Sequence, residues 1–287
     1  MEYLIFADVS CDIDRQFVDA GQIKFIRMDY SLGESMCVCE GPVTRDELKA
    51  FYDDQRSGNL TRTSQISPYM YEESFSPYMA EGYSILYLCL SSGLSSTFNS
   101  ALTAKATLKE KFPNVDLYPV DTLAASGGMG ILGERAIYNR GLGLNIHDNY
   151  VDVSAAAHRL KHWFLVPDLM YLKRGGRISA ATAIVGTALN ICPLLNINEE
   201  GKLDNFAKKR GMKLAANALV EYFAQSYDPA SKDPIYIIDA DNPDVADYLE
   251  ERVLELYPDA VIRHSGLSPI IGAHTGPDLA AIIHMSK

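Results

Sequence analysis

The sequence predicts an α/β fold in two parts. The first is a mainly parallel sheet with flanking helices, and the second is a smaller α/β domain. Three observations predict it. Short apolar runs alternate with helical segments through the first half, which is the pattern of strand–helix–strand units. The 287 residues suffice for two ordinary domains. Apolar residues make up 47% and charged residues 22%, ordinary values for a globular chain.

The elements follow in order. "YLIFAD" is a short apolar strand, and "IKFIRMDY" and "SMCVCE" are further strands. "TRDELKAFYDDQRSG" is a helix whose Thr44 and Glu47 form a capping box and whose end is marked by Gly58. "TRTSQIS" reads as a hydroxyl-rich loop, and a helix starts at Pro68. "YSILYLCL" is a strand that turns through "SSGLSSTFNSA" into the helix "LTAKATLKEKF". "VDLYPVDT" is a strand, and "AASGGMGILGERAIYNRGLG" a helix ending at Gly141 or Gly143. "SAAAHRLKHWFLVPDLMYLKRGG" begins as a helix, and the stretch after it is irregular. "MKLAANALVEYFAQSY" and "NPDVADYLEERVLELYP" are helices; "PIYIIDAD", "AVIRHSGL" and "AAIIHMSK" are strands. A composition break near Pro167 divides the chain into domains 1–166 and 167–287.

Charge and cysteine usage exclude several classes. Net charge is −11, with no clustered stripe of Lys and Arg, which argues against nucleic acid and anionic membranes. The five cysteines are odd in number and form no CxxC, so they read as reduced thiols. The N-terminus reads as a strand and not as a signal peptide, and no stretch is apolar for the length of a membrane span. The expectation is a soluble cytoplasmic protein.

Four clusters carry possible chemistry. In "SSGLSSTFNSA" a buried strand meets a helix N-terminus, which offers free N–H groups and a partial positive charge. Gly93 permits close backbone approach, and Ser92 and Ser95 add hydroxyls. The plainer reading is a helix cap at Ser95 or Ser96. Thr63, Ser64 and Gln65 of "TRTSQIS" either donate to the same anion or belong to an ordinary polar loop. His274 of "IGAHTGPDLAA" either binds a carboxylate or is structural. Lys173, Arg174 and Arg177 of "YLKRGGRIS" grip a phosphate, meet an acidic partner, or are solvated.

Other motifs fail. Gly128, Gly130 and Gly133 match GxGxxG after a strand, but no acidic residue closes a second strand at the required distance. Close helix packing explains these glycines better. His158 and His162 lack an HExxH context, and neither a Walker A motif nor a GxSxG elbow is present. No catalytic residue and no metal ligand is assigned.

Taken together, "ADVS", "TSQIS", "SSGLSSTFNSA", "VDTLAASGGMG", "YLKRGGRIS", "LNICPLLNINEEGKL" and "IGAHTGP" resemble the DegV family of bacterial fatty-acid-binding proteins. They stand in the family's order over nearly the whole chain. The resemblance implies a two-domain α/β protein with a long-chain fatty acid buried between the domains and no further cofactor. It implies that Thr63 and Ser95 hold the carboxylate, with Ser64, Ser92, Gly93 and His274 nearby. It also implies a non-enzymatic carrier that presents its acyl group to a fatty acid kinase catalytic subunit, in the service of phospholipid metabolism. Lys173, Arg174 and Arg177 are then the docking surface. The alternative is a nucleotide-dependent enzyme using the glycine-rich helix after the 117–122 strand.

The physical chemistry suits a carrier. Burying one methylene yields about 0.8 kcal/mol, so an acyl chain supplies the affinity and a few donors fix the head. Neutral hydroxyls leave the carboxylate unquenched, so no strong cation is expected on it. The chain departs from the family pattern at Ala7, Val9, Ile66 and Asp278.

Overall fold

The computed structural model describes residues 2–179 and 190–287. Part of the irregular stretch after "KRGG", residues 180–189, lies outside the described residues.

The first sheet is fully parallel, in the order β2-β1-β6-β7. Its strands are β1 (Tyr3–Asp8), β2 (Lys24–Ile26), β6 (Ser84–Cys89) and β7 (Leu117–Asp121). Every residue of β6 is buried, because helices cover both faces. Ile85, Tyr87 and Cys89 pack with Tyr71 and Phe75 of α3 (Pro68–Ala80) and Ala104 and Leu108 of α4 (Thr97–Lys111). Leu86 and Leu88 point the other way, toward Met129 and Leu132 of α5 (Gly127–Gly141) and Val153 of α6 (Ile146–Ala157). The short helix α1 (Arg15–Asp19) follows β1, and α2 (Arg45–Arg56) carries the expected capping box.

The stretch "IKFIRMDY" is two strands. The exposed Arg27 separates β2 from β3 (Met28–Leu32), and the chain leaves the parallel sheet there. Strand β3 pairs antiparallel with β4 (Ser35–Cys39) and β5 (Thr61–Thr63) in a small third sheet. The start of "TRTSQIS" is therefore a strand.

The second large sheet is mixed, in the order β10-β9-β8-β13-β11-β12. It comprises β8 (Leu160–Leu165), β9 (Ile191–Ile197), β10 (Leu203–Arg210), β11 (Ile235–Asp239), β12 (Ile262–Gly266) and β13 (Ala280–Met285). Only its β11–β12 pair is parallel among the described pairings. One face packs under α8 (Met212–Ser226) and α9 (Pro243–Leu256), through residues such as Leu165, Ile237, Ile282 and Phe223. Two short helices complete the fold: α7 (Met170–Arg174) and α10 (Pro269–Thr275).

Two expectations need correction. "LKHWFL" is a strand, and it pairs with β9 and β13. The chain therefore passes to the second sheet between Ala157 and Leu160. The irregular reading after "KRGG" also hides the β9–β10 hairpin.

Helix α5 lies between the two large sheets, and its glycines fit it there. A Cβ at Gly127 or Gly130 would strike the Tyr236 ring, one at Gly128 would strike His162, and one at Gly133 would lie 2.9 Å from Ile13. The space beside the GxGxxG match is filled by side chains, which removes the structural basis for a dinucleotide there.

Candidate functional site

A cavity of about 480 Å³ opens between the seryl turn, β5, α10 and the face of the second sheet opposite α8 and α9. That volume lies in the range of small-molecule sites. Its wall includes Thr63, Ser64, Ser92, Gly93, Ser95 and His274, the six residues expected to bind a carboxylate. Arg177 also lines it; Lys173 and Arg174 do not.

Thr63 ends β5, and His274 stands in the last turn of α10. Their side chains share a hydrogen bond of 2.7 Å between Oγ1 and Nε2. The two elements are held together independently. Thr61 Oγ1 donates to Ala273 O at 3.0 Å, and Gln55 Nε2 donates to Gly272 O at 3.1 Å. His274 Nδ1 is buried without a hydrogen-bond partner among the described residues. Burial, reinforced by Arg177, pushes the His274 pKa down to about 4, so the ring is neutral near pH 7.

The seryl turn is tied on all sides. Asp8 accepts from the Leu90 N–H at 2.8 Å and from Ser10, which fixes the exit of β6 against β1. Ser91 accepts from the Gly93 N–H at 3.1 Å and donates to Gly201 O at 2.7 Å. Ser95 accepts from the Thr97 N–H at 3.2 Å, and its oxygen lies 2.8 Å from Thr97 Oγ1. Ser95 thus caps α4 from two residues upstream while lining the cavity, and Ser96 makes no side-chain cap. Ser95 is both cap and cavity wall.

Gly93 is needed for a reason the sequence did not suggest. A Cβ there would lie 2.5 Å from the backbone of Gly201, in the β9–β10 turn. Gly201 in turn has φ +72 and abuts Ser91. The close approach is to the protein's own hairpin.

Arg177 departs from its expected place. It is partly buried, its Nε donates to Leu94 O of the seryl turn at 3.3 Å, and it donates to Gly175 O. No carboxylate pairs with it among the described residues, and burial lowers its pKa. Gly175 lies against the His274 ring, so Arg177 belongs to the head of the cavity. Arg177 lines the cavity together with the hydroxyls. Arg174 is exposed and covers the Tyr171 ring at 4.5 Å, while Tyr171 packs on Gly276.

The departures from the family pattern are absorbed locally. Ala7, Val9 and Ile66 are buried in apolar clusters. Asp278, at φ +66, pairs with Arg56 at 2.7 Å and so turns its charge to α2.

Beyond the head, the wall is apolar. Leu279 precedes β13, and Ala281 and Ile283 succeed one another along it, with Phe164 of β8 opposite Ala281 and Ile238 of β11 on its other side. Residues alternate along a strand, so one face of the sheet supplies this wall. Sequence reasoning missed it because β8 was not recognised as a strand.

The cavity joins an apolar wall to hydroxyls, a neutral histidine and Arg177. Such a site orients an anion and sequesters its tail. Comparison with known proteins agrees with this form. A model described as "Uncharacterised protein, DegV family" matches residues 2–287. A DegV domain-containing protein of Clostridium perfringens is 34% identical over 286 residues, covering 99% of this chain and 97% of its own. A structure from Thermus thermophilus, reported for fatty acid binding of a DegV family protein, superposes with TM-score 0.86 at 25% identity, covering 100% of both chains. A DegV lipid binding protein from Thermotoga maritima superposes with TM-score 0.84 at 26% identity, again covering 100% of both.

Proposed function

The chain belongs to the DegV family, and on that premise we propose that it is a carrier of long-chain fatty acid. The acyl chain occupies the apolar slot, and the carboxylate lies at the head against Thr63, Ser95 and His274. Ser64, Ser92 and the Gly93 turn border it, and Arg177 supplies a favourable field from the wall. The observation that carries this reading is the single cavity that joins the TSQ, SSGLS and HTGP segments to an apolar sheet face. The fatty acid and lipid binding reported for the Thermus and Thermotoga relatives supports it.

The neutral His274 suits this role. It adds one hydrogen-bonding group without a second full charge, so the carboxylate keeps its nucleophilic electron pairs. We assign the protein no chemistry of its own. It holds the acyl group for a fatty acid kinase catalytic subunit, which supplies ATP and forms acyl phosphate. The exposed Arg174 and its neighbour Lys173 flank the head on α7 and offer the docking surface.

The test is solvent extraction of the purified protein, followed by mass spectrometry and a binding titration with stearate. A stoichiometric fatty acid or saturable uptake is expected; a chain that neither carries nor takes up an acyl ligand overturns the proposal. A Lys173→Ala, Arg174→Ala double variant should keep its acyl load and lose acyl phosphate formation with a fatty acid kinase catalytic subunit and ATP. Unchanged turnover would remove the docking assignment.

A further inference from the structure

The apolar slot contains one polar step. Strands β8 and β13 run antiparallel, and His162 stands opposite Ile283, one wall level beyond Phe164 and Ala281. Ile283 stands four residues beyond Leu279, roughly 14 Å along an extended chain, and His162 is opposite Ile283. His162 lines the cavity and is 3% exposed; neither ring nitrogen makes a hydrogen bond of good geometry among the described residues, and the Ala125 backbone is the neighbouring group that acts on the ring. A buried polar group without a partner is costly, and its persistence calls for an explanation.

A second polar group lines the same cavity. His162 lies against Gly128 at the start of α5, and Ser126, two residues earlier, also lines the cavity. Ser126 donates its hydroxyl proton to the buried Asp12. Its oxygen is left as an acceptor. Burial pushes the His162 pKa down to about 3, so the ring is neutral and offers one donor and one acceptor. The pair therefore matches a neutral group that both donates and accepts. It does not match a second anion or a bare methylene chain.

We infer that the slot accepts an acyl chain carrying a hydroxyl group in its distal half, hydrogen-bonded by His162 after a rotation of the ring and by Ser126. The inference rests on the fatty-acid reading above and adds a substrate class to it.

The experiment is a pair of titrations, with stearate and with 12-hydroxystearate, on the wild-type protein and on the His162→Phe and Ser126→Ala variants. Wild type should bind 12-hydroxystearate roughly fivefold more tightly, the worth of one net hydrogen bond. His162→Phe should bring that ratio below one, since the hydroxyl then enters an apolar wall unpaired. Ser126→Ala should lower it in part, and serves if the larger ring disturbs folding. Equal or weaker binding of the hydroxy acid to wild type overturns the inference, as does a ratio unchanged in both variants. A protein that binds neither acid fails the carrier reading itself, which keeps the two failures distinct.

Discussion

At the scale of single residues, the site depends on side chains that hold backbone as much as on those that face the cavity. Ser91, Asp8 and Gly93 shape the turn on which Ser95 stands. Gly93→Ala tests this. The new methyl would lie 2.5 Å from the Gly201 carbonyl group, where backbone cannot yield cheaply. Overpacking of this kind costs about 1–3 kcal/mol. The variant should unfold at lower urea concentration and bind stearate more weakly, because the seryl turn and the hairpin part. A stability equal to wild type would show that the contact relaxes and that Gly93 serves something else. The residues of the head were legible in the sequence because hydroxyls, a histidine and glycines cluster at element ends. The place of Arg177 was not. Its position follows from Gly175 lying against His274 and from Leu94 O accepting its Nε–H, contacts between segments 83 residues or more apart in sequence.

At the scale of elements, legibility followed the number of exposed faces. Helix α2 was readable to its cap, because polar residues mark its outer face and Thr44 and Glu47 its start. Strand β6 was readable as a continuous apolar run between turns. Strand β8 was not, although it is equally central. It follows α6 with no Gly or Pro between, and Lys161 and His162 interrupt its apolar run. Its two faces serve different partners: Trp163 and Leu165 pack toward α8, while His162 and Phe164 face the cavity. Only the pairing with β13 makes sense of both. Helix α5 shows the converse case. Its glycines match a ligand motif but read better as close packing, and the structure supplies that packing in the narrow gap between two sheets. A glycine pattern reports close approach, and the partner in that approach is decided by topology.

At the scale of the whole molecule, the two halves are joined by one continuous apolar cluster and by polar clasps from α2. Arg45 pairs with the buried Asp239 at 2.6 Å, Arg56 with Asp241 at 2.6 Å, and Tyr52 donates to Leu267 O at 2.8 Å. Burying so much polar structure makes stability depend on pH, with terms of both signs. Burial holds His162 at about 3 and His274 and His284 at about 4, all below the ordinary 6.5. Between those values the unfolded chain binds protons that the native state refuses, so each histidine lowers stability as pH falls through this window. Burial has the opposite effect on the carboxyls. It raises Asp12 to about 7 and raises Asp8, so the native state holds protons there that the unfolded chain has released. Those terms lower stability as pH rises from the unfolded carboxyl value toward neutrality. Three histidines, each taking up nearly a whole proton on unfolding near pH 5.5, outweigh the release from Asp12 and Asp8, so unfolding is accompanied by net proton uptake there. Urea unfolding at a series of pH values between about 4.5 and 6.5 should therefore show stability rising with pH. His284 lies away from the cavity, between Ser226 and Phe223, and isolates one term. In His284→Asn the slope should fall by about one proton's worth. A wild-type slope of zero or of opposite sign would mean that the carboxyls dominate. A His284→Asn slope equal to wild type would mean that this histidine keeps its proton in the folded core.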